Sequence, residues 1–131
     1  ISLIKLDLQN GQADWAGANN PLWIVRKDDD DIEEIKPNKE PISYYTEMNE
    51  FVNNSIQLNK GDSFYLFSDG YPDQFGGLKG KKLKYKAFKN LIVKNAFEEM
   101  EMQKQLLSAF FQNWKGDFDQ IDDICVFGVK V

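Results

Sequence analysis

Phe64-Tyr-Leu-Phe-Ser-Asp-Gly70, running on through Tyr71-Pro-Asp-Gln-Phe-Gly-Gly77, decides how the chain reads. Apolar residues at Phe64 to Phe67 make a buried strand that hands over a carboxylate, Asp69, followed at once by glycine. Some fifty residues later the order is reversed: Asp122-Asp123 precedes the apolar run Ile124 to Val131. If the two strands pair antiparallel, the end of one lies beside the start of the other. The carboxylates then meet at one rim of a sheet, where hard oxygen ligands suit a divalent cation such as magnesium or manganese.

Around that stretch the chain has the material of one domain. Its 131 residues are 42% hydrophobic with ten Phe, enough for a core that buries roughly two-thirds of the unfolded surface. Sixteen basic against 21 acidic residues give a net charge of −5, which argues against a general nucleic-acid surface. No apolar run approaches the ~20 residues of a membrane helix, and Ile1 to Leu8 does not read as a secretory signal. The single cysteine, Cys125, excludes a disulfide framework and reads as a small buried hydrophobe in a reducing compartment. Histidine is absent, which removes Ser-His-Asp, Cys-His and His-bound zinc chemistry from this chain. Any chemistry here must use carboxylates.

The order of elements supports an α+β class, with helices on one face of an antiparallel sheet. Ser2 to Leu8 and Ala13 to Gly17 flank Asn10-Gly11, a hairpin signal. Ala18 to Pro21 is a turn or bulge, Leu22 to Arg26 and Ile32 to Lys36 are strands about the acidic tip Asp28 to Asp31, and together these form an antiparallel meander. Pro37 to Pro41 is a loop, and the polar stretch on to Asn49 has no period. Phe51 to Leu58 is a strand, and Lys60-Gly61-Asp62 turns the chain into Ser63 to Ser68. Gly70 to Gly80 is a loop with room for one helical turn. Helical spacing over Lys84 to Lys94 and about Glu98 to Trp114 predicts two helices, the second capped by Asn95 with Glu98 and ended by Gly116.

Taken singly, the motifs are ambiguous. Ser68-Asp-Gly70 is also a common turn, and paired acids often only solubilise a strand start. Asp73, four residues beyond Asp69, can reach the same ion if the loop folds back. Asp28 to Asp31 lacks the glycine of a calcium loop and reads as a solvated tip. Lys79-Gly-Lys-Lys82 reads first as a solvated run, with attraction of a phosphorylated partner as the alternative. No Walker or dinucleotide fingerprint is present.

In order along the chain stand Ala16-Gly-Ala-Asn-Asn-Pro-Leu22, Lys60-Gly-Asp62, Phe67-Ser-Asp-Gly70 with Asp73-Gln-Phe-Gly-Gly77, Trp114-Lys-Gly-Asp117 and Asp122-Asp-Ile-Cys-Val-Phe-Gly128. This series resembles the C-terminal part of a SpoIIE-type domain, the bacterial branch of the PP2C metal-dependent serine/threonine phosphatases. The resemblance implies an α-β-β-α sandwich with a manganese or magnesium cluster at one end of its two sheets. It implies Asp69 and Asp122 as metal ligands, Asp73 as a ligand of a further, weaker metal, Gly70 as the small residue that permits the turn, and Asp123 as a supporting residue. Hydrolysis of phosphoserine or phosphothreonine by a metal-activated water follows, in bacterial regulatory signalling, on a phosphorylated regulatory protein.

One departure is serious: the family's Asp-x-x-Gly-His-Gly element has no match in residues 1–131. The chain therefore reads as a C-terminal portion of the domain, inactive by itself, in the cytoplasm or tethered there to a membrane sensor. It is expected to self-associate as a homodimer through the sheet face left exposed. A non-catalytic phosphoprotein-binding or dimerisation module, and a purely structural domain, are the alternatives.

Overall fold

A computed structural model describes residues 1–42 and 50–131; the expectation for the stretch before Asn49 falls largely outside them. The hairpin at Asn10-Gly11 forms between β1 (Ser2–Leu6) and β2 (Gln12–Gly17), with Ile4 opposite Trp15. Gly11 has φ 74°, and a Cβ there would sit 2.2 Å from the Leu58 carbonyl oxygen, so only glycine fits this crossing.

Beyond β2 the meander expected from the sequence gives way to two sheets. Asn19, at φ 64°, and Pro21 turn the chain out of the first sheet, and β3 (Leu22–Val25) starts a second. After β4 (Glu33–Ile35) the chain returns to the first sheet as β5 (Asn54–Gln57), which pairs with β2, and then joins β3 as β6 (Ser63–Phe67). The orders are β1-β2-β5 and β4-β3-β6-β9, where β9 is Val126–Lys130. The physical reason lies in β3, all four residues of which are buried. Leu22 and Ile24 pack with Trp15, Ile56 and Phe64 between the sheets, while Trp23 and Val25 face the helices. An unbroken apolar strand needs cover on both faces, which a sheet solvated on one side cannot supply.

The helical layer is α2 (Tyr85–Asn95) and α3 (Met100–Lys115), preceded by the single turn α1 (Gly70–Asp73) and a short hairpin, β7 (Phe75–Gly76) with β8 (Lys81–Lys82). Gly116 ends α3 at φ 52°. The expected cap at its start is not formed. Asn95 instead donates to the Leu91 carbonyl within α2, and Glu99 stands at the N-cap without a side-chain bond. Buried Gln103 ties the α2–α3 corner: its amide donates to the Ala96 and Glu98 carbonyls, and its carbonyl accepts from the Tyr65 hydroxyl at 2.8 Å. Cys125 also corrects the sequence reading. It is exposed, one residue ahead of β9, because it lies at the sheet rim rather than inside the strand. The outer edge of β9 pairs with no strand among the described residues, and Phe127 on it is half exposed.

Asp62 holds the turn into β6. Its buried carboxylate accepts from the amides of Asn59 and Lys27 and from Arg26 at 2.9 Å. Burial alone would raise its pKa, but the two amides and the guanidinium outweigh that and hold it below the ordinary aspartate value. A depressed carboxylate stabilises the fold above its unfolded pKa of about 3.9, and that contribution is lost as pH falls through the lower folded value. Asp62→Asn is therefore expected to cost about 1–3 kcal/mol at neutral pH. Urea titrations check it: the gap to wild type should narrow as pH falls below the ordinary aspartate pKa of about 3.9, and a gap that stays constant as pH falls would contradict the assignment.

Candidate metal centre

The rim where Asp69 and Asp122 sit is built by the pairing of β6 with β9. That pairing is antiparallel, with Phe67 opposite Val126, and Ser68 continues it. The Ser68 amide donates to the Cys125 carbonyl at 2.9 Å, its hydroxyl donates to the Asp123 carbonyl at 2.8 Å, and the Cys125 amide donates back to that hydroxyl at 2.9 Å. Gly70 then passes so close to Asp123 that a Cβ on it would lie 2.4 Å from the Asp123 carbonyl oxygen. The backbone on both sides of Asp69 is thus held against Asp123 by contacts that no larger residue at position 70 would allow.

Asp69 leaves β6 in the right-handed helical conformation, φ −70° and ψ −13°, and its carbonyl accepts the Asp73 amide at 3.0 Å. Its carboxylate is exposed and caps no amide. The turn that follows is anchored from below by Tyr71, whose buried ring stacks on Phe88 at 4.4 Å and whose hydroxyl donates to the Leu107 carbonyl at 2.8 Å. Burial pushes the Tyr71 phenol well above its ordinary pKa, so it remains a proton donor.

The predicted residues do not all converge. Asp122 and Asp123 are exposed beside Gly70, and one Asp122 oxygen accepts the Asp123 amide at 2.7 Å. Asp73 is turned toward the hairpin, where Lys82 meets it at 2.8 Å. Among the described residues, no three Asp, Glu or Cys side chains gather into a set able to hold a metal ion. The donors present fit a cation in part: exposed carboxylates offer hard oxygens and leave room for the waters that magnesium retains.

Two residues escaped the sequence reading. Ser68 was legible only as part of a turn, although its hydroxyl fastens the two strands. Tyr85, on the first turn of α2, is packed near Trp23 and Phe67. Burial raises its pKa, and the charges of Asp69, Asp73 and Glu34 raise it further, which places its hydroxyl in the field of the candidate carboxylates. Helical spacing over Lys84 to Lys94 placed Tyr85 on a helix and gave no hint of this field.

Two facing sheets with helices packed on one of them, and aspartates at the rim where β6 ends and the segment leading into β9 begins, match the PP2C-type phosphatase fold. The SiaA-PP2C domain of Pseudomonas aeruginosa superposes with a TM-score of 0.86 at 25% identity, over 99% of this chain and 50% of that one. The phosphatase domain of the cell fate determinant SpoIIE from Bacillus subtilis, presoaked with manganese, gives 0.69 at 21% identity, over 100% and 56%. The RsbU and RsbW domains of a Mycobacterium tuberculosis protein give 0.75 at 19% identity, over 98% and 36%. The model of the family stage II sporulation protein E (SpoIIE) matches residues 1–131, and the chain belongs to that family. It spans about half the length, or less, of these solved structures. A search of curated proteins gave no significant match. No helix among the described residues is long and apolar enough to cross a membrane.

Proposed function

We propose that this chain is the C-terminal segment of a metal-dependent protein serine/threonine phosphatase that acts on a phosphorylated regulatory protein in bacterial signalling. The observation that carries this reading is the Ser68 clasp, which fixes the Asp69 and Asp122-Asp123 segments side by side at an open rim. Asp69 and Asp122 would hold manganese or magnesium, and Asp73 a further ion once released from Lys82. The ion, when bound, neutralises phosphoryl oxygens and lowers the pKa of a bound water. Gly70 and Asp123 keep the two segments in register, and Tyr71 keeps the Asp69 turn from shifting. The remaining ligands would come from outside residues 1–131, so the chain alone should turn over little. A manganese-presoaked SpoIIE phosphatase domain among the similar structures agrees with the choice of ion. A non-catalytic phosphoprotein-binding module is the second reading, favoured by the absence of a three-ligand set among the described residues.

The test is manganese-dependent hydrolysis of p-nitrophenyl phosphate by the parent protein. Asp69→Asn and Asp122→Asn are each expected to lower kcat by on the order of 100-fold, the scale of a misplaced reacting group. Full activity in Asp69→Asn would sink the phosphatase reading. Turnover by the 131-residue chain equal to the parent's would sink the claim that its ligand set is incomplete.

A further inference from the structure

The chain is acidic overall, yet residues 74–97 carry seven of its sixteen basic side chains and no acidic one. Part of this charge is answered inside the fold. Lys86, Lys89 and Lys94 on α2 share a cavity wall with Asp30 and Asp31, and Lys89 pairs with Glu34. Lys82 is held by Asp73. Lys79 and Lys81, at the tip and arm of the β7–β8 hairpin, are exposed and make no ion pair among the described residues. Beside them Leu78 is fully exposed and Phe75 is 37% exposed, so the same tip shows apolar surface next to unanswered positive charge.

The tip stands on a rigid base. Buried Gln74 donates to the Phe75 and Asp119 carbonyls, its own carbonyl accepts from the Trp114 indole at 3.0 Å, and the Gly77 amide donates to the Trp114 carbonyl at 2.8 Å. Gly76 lies so close to α3 that a Cβ there would come within 1.9 Å of the Trp114 carbonyl oxygen. Both ends of the hairpin are tied to the turn that begins at Asp69: Lys82 bonds Asp73, and the Lys84 amide donates to the Pro72 carbonyl at 2.7 Å. At about 3.3 Å per residue, the tip stands on the order of 10 Å from Asp73. An extended peptide covers that span in about three residues.

We propose that this hairpin docks the protein substrate, by gripping an acidic segment with an apolar residue that lies about three to five residues from the phosphorylated side chain. The larger number counts the α1 turn back to Asp69. The inference rests on the phosphatase reading above and adds the recognition element. Loose lysines on a mobile loop would only raise local concentration. A fixed tip with Leu78 next to Lys79 selects sequence as well, because apolar contact and charge must be met together.

The experiment compares the parent protein with Lys79→Glu/Lys81→Glu and with Leu78→Ser on two probes. One is a synthetic phosphoserine peptide with flanking Asp, Glu and Leu; the other is p-nitrophenyl phosphate, too small to reach the tip. The variants are expected to raise KM for the peptide at least about fivefold, less so in high salt, with kcat and p-nitrophenyl phosphate turnover unchanged. Equal losses on both probes would make the hairpin mere scaffold of the site and overturn the proposal, as would an unchanged peptide KM. Charge-dependent capture of wild type by anionic phosphatidylserine vesicles, with peptide KM unmoved by the charge reversal, would make the tip a membrane contact and also overturn it. If the wild-type parent fails on p-nitrophenyl phosphate, the phosphatase reading fails. Fluorescence anisotropy of the same peptide on the 131-residue chain then decides the docking claim: binding weakened by the charge reversal upholds it, and absent binding ends it.

Discussion

Gly70→Ala is expected to loosen the rim and to impair metal-dependent turnover together, without altering any charged group. The added methyl would lie 2.4 Å from the Asp123 carbonyl oxygen and 3.2 Å from Ile124 Cγ1. Backbone cannot yield as a flexible side chain can, and the Asp123 carbonyl is already held by the Ser68 hydroxyl. Either the Ser68 clasp breaks or the turn carrying Asp69 moves outward. Overpacking of this kind costs about 1–3 kcal/mol. It would also shift Asp69 relative to Asp122 by a few tenths of an ångström or more, and a displacement approaching about 1 Å lowers rates on the order of 100-fold. Thermal melts of the 131-residue chain and p-nitrophenyl phosphate kinetics of the parent check the two halves separately. A variant that melts within about 1 °C of wild type, with unchanged kcat, would show that the rim has slack the structure does not reveal.

Trp23→Ala is expected to produce the largest loss of stability in the chain. Trp23 is wholly buried on the helix side of β3, with ring centroids 4.2 Å from Phe67 and 5.2 Å from Phe88. Its indole donates to Glu34 at 3.0 Å, and Lys89 sits 5.2 Å over the ring. Removing the indole empties the centre of an aromatic cluster that joins sheet, α1 and α2. Truncations of this size cost about 3–5 kcal/mol, a large part of the ~5–15 kcal/mol a domain has. Urea unfolding followed by far-ultraviolet dichroism measures it, with Trp23→Phe as the milder companion should the alanine variant not fold. A loss below about 1 kcal/mol for Trp23→Ala would mean that the cluster repacks around the gap.

Much of the fold was legible because local patterns and tertiary demands agree. Asn10-Gly11 turned where it should, Gly116 stopped α3, and Phe64 to Phe67 formed the strand around which the second sheet is laid. The neighbouring ends of β6 and β9 followed from simple order: one strand finishes in an acid, the other starts with a pair, and antiparallel pairing does the rest. The failures have a common cause. Asn95 with Glu98 looked like a cap, but the buried Asn95 side chain turned back onto Leu91. Cys125 looked buried from its apolar neighbours, yet Ile124 and Val126 pack on the helix-side core while Cys125, at the rim ahead of β9, is left exposed.

The sequence by itself determined most element types and turn positions and the two acidic strand ends, since these depend on side-chain periodicity and on residues such as glycine, proline and asparagine that restrict or free the backbone. It did not determine the β7–β8 hairpin, which read as a loop. The tertiary structure alone decided which strands belong to which of the two sheets, because only packing shows that both faces of Leu22–Val25 must be covered. It alone decided that Asp73 answers Lys82 instead of joining Asp69, and that Ser68 and Gly70 lock the rim. The Ser68 and Gly70 contacts join residues more than fifty apart in the chain, set by how the strands pair, and the Asp73–Lys82 pair depends on a hairpin that no local pattern announced.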